Sequence, residues 1–147
     1  MKTFLLLLIL FSFLQSAFLP VNLVLVILIA RNLVLDSSDN LLIAFFAGLA
    51  LSFLSQTNIG YWPLVLILVV KLSQALKKIP VSFNGLMVFL SGALLILIVS
   101  LFNQFFISQN LQISKLILES ILVVPTFYLV RLWEERFVVK RGIKLKV

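Results

Sequence analysis

Cysteine and histidine are both absent from this sequence of 147 residues. Their absence leaves no disulfide framework, no thiol nucleophile, no imidazole base and no Cys or His ligand for a metal. Acidic residues are also scarce, with five Asp and Glu in total. The sequence contains no glycine-rich phosphate loop and no nucleophile elbow. We therefore expect no catalytic residues, no metal and no cofactor, and favour a binding or assembly role over an enzyme.

Charge of either sign is rare, because only 12% of the residues are charged, whereas soluble domains carry roughly 25%. Hydrophobic residues make up 63% of the chain, and the mean hydropathy is +1.23. A soluble protein of this size cannot bury so many apolar side chains behind so few polar ones. The composition therefore predicts an integral membrane protein surrounded by lipid.

Apolar segments alternate with short groups of turn-forming residues, and most of these segments are close to the roughly 20 residues that a membrane-spanning helix needs. They predict an all-α integral membrane protein, a compact bundle of six transmembrane helices with antiparallel neighbours. Residues 1–135 would form this single domain and residues 136–147 a basic cytoplasmic tail. The alternative is five crossings, in which Pro20 only kinks one fused first helix. The predicted segments are Thr3–Leu19, Val21–Leu35, Leu41–Ser55, Ile59–Leu76, Phe83–Ile107 and Leu116–Trp133.

Basic residues predict the orientation, since cytoplasmic loops of membrane proteins are enriched in Lys and Arg. With the N-terminus inside, all twelve basic residues except Lys115 fall on the cytoplasmic side. We expect a multi-pass protein of the bacterial cytoplasmic (inner) membrane with both termini in the cytoplasm. Because the basic residues follow the predicted topology, they do not indicate a nucleic-acid site.

Glu119 is the candidate intramembrane carboxylate, about one turn inside the outer end of the sixth segment. Such a charge is costly unless it is paired or faces protein, which makes it a candidate functional residue. Alternatively, Glu119 reaches the outer surface and pairs with Lys115, four residues earlier. Asn103 and Gln104 are further candidate polar groups. They either mark the exit of the fifth segment or form hydrogen bonds between helices or to a partner.

Small residues recur every four positions in the third segment, at Ala44, Gly48 and Ser52. Such a flat face allows close helix approach, so it predicts helix packing within the chain or a partner interface. The other carboxylates are expected to be solvated loop residues (Asp36, Asp39) or members of an interfacial ion-pair cluster (Glu134, Glu135). The tail is expected to lie on anionic lipid through Arg136, Lys140, Arg141, Lys144 and Lys146.

The segment from Gly48 to Gly60 resembles the central signature of MreD, the bacterial rod shape-determining membrane protein. Ser52 stands where that family usually has an acidic residue. Elsewhere, Pro20 followed by Asn22 resembles the beginning of the family's second helix, and Pro125 with Tyr128 resembles its last helix. The residues that match within the central signature are Gly48, Leu51, Leu54, Ser55, Ile59 and Gly60.

This resemblance implies a non-catalytic role in the cell-elongation (rod) complex that supports cell shape and peptidoglycan synthesis. The implied partners are membrane lipids, an MreC-like protein and, through it, cell-wall synthesis enzymes and an actin-like filament. The resemblance also implies a fold similar to the substrate-binding subunits of energy-coupling-factor vitamin transporters. Such a subunit is the alternative function, and it needs a pocket in its outer half. The groups available for that pocket are Asn103, Gln104, Glu119, Tyr61 and Trp62.

Overall fold

The computed structural model describes residues 2–18, 21–35, 37–78, 84–107, 110 and 112–137, and all regular secondary structure in these ranges is helical. Six α-helices follow one another, each corresponding to one predicted apolar segment. They are α1 (Lys2–Phe18), α2 (Leu23–Val34), α3 (Asp39–Leu54), α4 (Tyr61–Lys77), α5 (Gly85–Ile107) and α6 (Ile113–Phe137).

The boundaries agree with the predicted segments to within a few residues, and α6 differs most. It begins at Ile113 and ends at Phe137, whereas the apolar pattern predicted Leu116 to Trp133. The apolar pattern ends the predicted segment where charged residues begin, but the helix continues through those charged residues. At the C-terminal end, Arg131 pairs with Glu135 one turn later, at 3.0 Å between Nε and Oε1.

The shortest helix, α2, lies at the centre of the bundle. All its residues from Val24 to Leu33 are buried, and it contacts each of the other five helices. Its 12 residues correspond to a length of about 18 Å. Because its apolar residues cover every face, α2 packs on all sides, as expected of a helix that is hydrophobic all round.

The first two helices form an antiparallel pair. Near the beginning of α1, the Phe4 ring lies against the Arg31 guanidinium at the end of α2, with 4.2 Å between Cζ and the ring centroid. Near the end of α1, Gln15 Oε1 accepts a hydrogen bond from the Val24 N–H at 3.1 Å. The chain therefore reverses between the two helices and does not continue as one kinked helix.

Two glycines lie where neighbouring helices approach closely. A Cβ added to Gly48 of α3 would collide with the Pro63 backbone in α4. A Cβ on Gly92 of α5 would lie 2.7 Å from a methyl carbon of Val123 in α6. The missing side chain at these two positions allows the neighbouring helices to approach closely.

Large apolar side chains cover the outside of the bundle, among them Phe53, Leu64 and Phe105. Two helices, Gly85–Ile107 and Ile113–Arg136, are long and apolar enough to cross a membrane, and each is only 28% buried over its most apolar window. Three shorter apolar stretches lie in α1, α2 and α3. The core helix of a soluble protein would be mostly buried, so these two exposed helices indicate a membrane protein.

Candidate functional site

The bundle has two chemically different ends. The end at which α1, α3 and α5 finish and α2, α4 and α6 begin is called the Glu119 end. The opposite end, where α2 finishes, is called the Arg31 end. Polar side chains are buried at both ends of the bundle, near the two ends of α2. Because α2 is shorter than its neighbours, both of its ends lie within the protein.

A cavity of about 710 Å³ occupies the Glu119 end. The α5–α6 connection contributes two polar residues to it, so the cavity extends to the end of the bundle. Its lining residues are Gln15, Val21, Asn22, Leu25, Leu51, Leu54, Ser55, Trp62, Val99, Ser100, Asn103, Asn110, Gln112, Lys115, Leu116 and Glu119.

Glu119 is the most deeply buried charged residue of this cavity, with 3% of its surface exposed. Its Oε1 accepts a hydrogen bond from the Asn22 backbone N–H at 2.8 Å. Lys115 and Glu119 are both described by the structure, and no ion pair joins them; Lys115 is therefore not the counter-ion in direct contact with this carboxylate. The structure thus places Glu119 inward, against the beginning of α2, and not at the surface.

Side-chain oxygens accept hydrogen bonds from three backbone N–H groups at the beginning of α2, those of Asn22, Val24 and Leu25. Besides the bond to Glu119, the Val24 N–H donates to Gln15 Oε1 and the Leu25 N–H donates to Asn22 Oδ1, at 3.1 and 3.2 Å. The positive end of the helix dipole favours a carboxylate at this place. Glu119 therefore stands where an anionic ligand would otherwise bind a helix N-terminus.

The two predicted amides have different environments. Asn103 lines the cavity, and its Oδ1 accepts a hydrogen bond from the Tyr61 hydroxyl at 2.7 Å, which joins α5 to α4. Gln104 is exposed and does not line the cavity. Trp62, the other aromatic residue considered for a pocket, does line it and is 8% exposed.

The small-residue face of α3 is buried inside the chain. Ala44, Gly48 and Ser52 are all buried, and α4 lies directly against Gly48. This face therefore packs against the chain's own helices in the structure.

At the Arg31 end, a buried ion pair joins α2 to α6. Arg31 Nε lies 3.4 Å from Glu134 Oε1, and both side chains are at least nine-tenths buried. Glu134 was expected in an interfacial cluster with Arg131 and Arg136, but only Glu135 pairs with Arg131 at the surface. The sequence contained one signal for this pair, because Arg31 is the single charged residue of the predicted segment Val21–Leu35.

A buried amide network lies next to this pair and was not predicted. Asn32 Nδ2 donates to the Val70 carbonyl at 2.9 Å and to the Ser73 hydroxyl. Asn32 Oδ1 accepts from Asn40 Nδ2 at 2.7 Å, and Asn40 Nδ2 also donates to the Leu35 carbonyl. The network therefore links α2, α3 and α4.

The remaining predicted residues lie at the periphery. Asp39 is exposed at the beginning of α3, and Arg136 is exposed in the last turn of α6. Asp36 and the tail residues Lys140, Arg141, Lys144 and Lys146 lie outside the described residues. Within the described ranges, no group of three or more Asp or Glu side chains could hold a metal ion.

Comparison with protein-family models, with curated proteins and with solved structures finds no match for this chain.

Proposed function

We propose that this chain is a six-span protein of the bacterial cytoplasmic membrane, with the Glu119 end outside and the Arg31 end in the cytoplasm. The apolar exterior, the antiparallel order of the helices and the distribution of basic residues support this topology. By itself, α2 is too short to cross the hydrocarbon core of a membrane, which is about 30 Å thick. The other helices surround it, so its polar ends contact protein and not lipid.

Within that membrane, the proposed role is that of a non-catalytic component of the cell-elongation complex, binding an MreC-like partner. The observation that carries this proposal is the MreD-like segment from Gly48 to Gly60. In the fold it forms the end of α3 and the turn into α4. Gly48 lies against the α4 backbone, and Gly60 has φ +111°, a left-handed conformation that favours glycine. Both glycines of the signature thus have a structural reason.

Affinity purification from native membranes tests this role. We expect a tagged chain to recover an MreC-like coiled-coil protein and cell-wall synthesis enzymes, and depletion of the chain to make rod-shaped cells round. A matched purification with an unrelated tagged six-span protein is the control. Retention of rod shape together with failure to recover such partners would overturn the proposal.

A second candidate is the substrate-binding subunit of a vitamin transporter, and the cavity at the Glu119 end favours it. Trp62, Asn103 and Glu119, three of the five residues considered for such a pocket, line that cavity. This function requires a transport partner in the same membrane. Uptake of a vitamin that stops when the chain is deleted would support it, and unchanged vitamin uptake would exclude it.

A further inference from the structure

We propose that the exposed face of α4 towards the Arg31 end binds one anionic phospholipid through Lys71 and Lys78. The site rests on the proposed membrane crossing of α4, but on neither the MreC-like partner nor the direction of the crossing. It lies on the outside of the bundle, away from the cavity at the Glu119 end.

The outer face of α4 changes from apolar to basic along the helix. Leu64 is 62% exposed, and Lys71, Ala75 and Lys78 are exposed as well. Their spacings of seven, four and three residues place all four side chains on one face. The two lysines are about 10 Å apart along the helix axis. A phospholipid has the same order, with hydrocarbon chains followed by an anionic headgroup.

Neither lysine forms an ion pair within the described part of the chain. Of the carboxylates described at the Arg31 end, two are paired with arginines, Glu134 with Arg31 and Glu135 with Arg131. The third, Asp39, lies close enough to Arg31 to interact with its charge. Two cations with no carboxylate between them favour a net negative headgroup over a zwitterionic one, whose own cation they would repel.

A hydrogen bond sets the depth of Lys71 relative to α5, the antiparallel neighbour of α4. The Tyr61 hydroxyl donates to Asn103 Oδ1, so the beginning of α4 is level with Asn103. Ten residues later, Lys71 is therefore level with the middle part of α5. From there α5 continues towards the Arg31 end for about eight more uncharged residues, or about 12 Å, among them the exposed Leu86 and Leu90.

A bilayer that covers the apolar surface of α5 thus brings hydrocarbon to the level of both lysines. An unpaired charge at this depth is costly. The cost falls when the flexible lysine stems reach towards the headgroups and a phosphate is drawn inwards, with local thinning of the leaflet. Because the small side chain of Ala75 lies between the two lysines, one phosphate has room to accept hydrogen bonds from both. Lipid phosphate is the counter-ion that the membrane itself supplies to this face.

The test is lipid titration of the purified protein in detergent, measured by native mass spectrometry. Phosphatidylglycerol is the probe, and phosphatidylcholine with the same acyl chains is the comparison lipid. We expect one phosphatidylglycerol molecule to bind in preference. Lys71→Gln and Lys78→Gln should each weaken its binding about fivefold, the contribution of one basic side chain near an anionic headgroup. Lys71→Arg keeps the charge and should preserve binding.

Arg136→Gln is the matched control, because it removes one exposed positive charge at the same end of the bundle but on α6. It should leave the affinity for phosphatidylglycerol unchanged. Thermal unfolding in the same detergent checks that each variant is folded. Inorganic phosphate, added at the concentration of the lipid, should not displace it, since a free anion lacks the acyl chains that pack beside Leu64.

Three results would each overturn the site: equal binding of the two lipids, displacement of phosphatidylglycerol by inorganic phosphate, or binding by Lys71→Gln or Lys78→Gln as tight as by Arg136→Gln. A chain that recovers its MreC-like partner but shows no lipid preference would overturn the lipid site alone. Thiol labelling at the two ends of α4 tests the membrane crossing separately.

Discussion

At the scale of single residues, Arg31 and Glu134 show how a charge is accommodated inside an apolar bundle. The guanidinium lies close to both the Glu134 carboxylate and the Phe4 ring, so α1, α2 and α6 meet at one side chain. Two atoms of Arg31, Nε and Nη1, have no hydrogen-bond partner of good geometry among the described residues. The pair therefore stabilises the fold mainly because each charge serves as the counter-ion of the other, so neither is buried alone.

Glu134→Ala should destabilise the protein strongly, because it leaves the Arg31 charge buried without a counter-ion. Removal of one partner of a buried pair costs about 3–5 kcal/mol of unfolding free energy. Glu135→Ala breaks only an exposed pair and should cost less than about 1 kcal/mol. Thermal unfolding of both variants in one detergent measures the difference. Equal melting temperatures would contradict the buried pair, and Arg31→Leu combined with Glu134→Leu should recover most of the loss.

Asn32→Leu should destabilise the Arg31 end by a smaller amount. It removes the donor to Val70 and Ser73 and the acceptor for Asn40, in a residue with no exposed surface. Hydrogen bonds between membrane helices contribute about 0.6 kcal/mol on average and up to about 1.7 kcal/mol. The loss is measured by unfolding in detergent against Gln104→Leu, an exposed amide. A stability equal to that of the control variant would show that the network contributes nothing.

At the scale of helices, α2 determines where polar groups can be buried. It is surrounded by the other five helices and is shorter than each of them, so space for polar side chains remains at both of its ends. At one end this space is the cavity with Glu119, and at the other it holds Arg31 and the Asn32 network. The longer helices carry the apolar outer surface.

Gly48→Ala should disturb the contact between α3 and α4, because the added methyl group collides with the Pro63 backbone, which cannot rotate away. Overpacking of this kind costs about 1–3 kcal/mol, more than the gain in helix propensity of roughly 1 kcal/mol. Gly85→Ala is the control, since its Cβ would lie 3.3 Å from the tip of the Tyr128 side chain. A melting temperature of Gly48→Ala at or above that of Gly85→Ala would contradict the close approach.

At the scale of the whole molecule, the two ends differ in the basic residues near them. Lys71, Lys77 and Lys78 lie at or near the end of α4 towards the Arg31 end, whereas Lys115 is at the Glu119 end. The proposed orientation therefore follows the positive-inside rule for the described part of the chain.

The absence of cysteine makes this orientation directly testable, because the unmodified chain has no thiol that a maleimide could label. Asn58→Cys lies in the exposed turn between α3 and α4, and Lys78→Cys lies at the exposed end of α4. In intact cells, a membrane-impermeant maleimide should label only Asn58→Cys. Lys78→Cys should react after the membrane is opened. Labelling of both in intact cells would contradict the crossing of α4.

The amino-acid sequence by itself determined the helical class and the positions of the six helices, because apolar runs and turn residues such as Asn58 and Gly60 are local features. It also identified Glu119 and Asn103 as unusual polar groups. Only the tertiary structure decided that Glu119 contacts Asn22 and that Glu134, not Glu135, pairs with Arg31. Helices that are apolar on nearly every face carry no pattern that distinguishes inward from outward positions. The partners of their few polar residues are therefore set by the packing around α2.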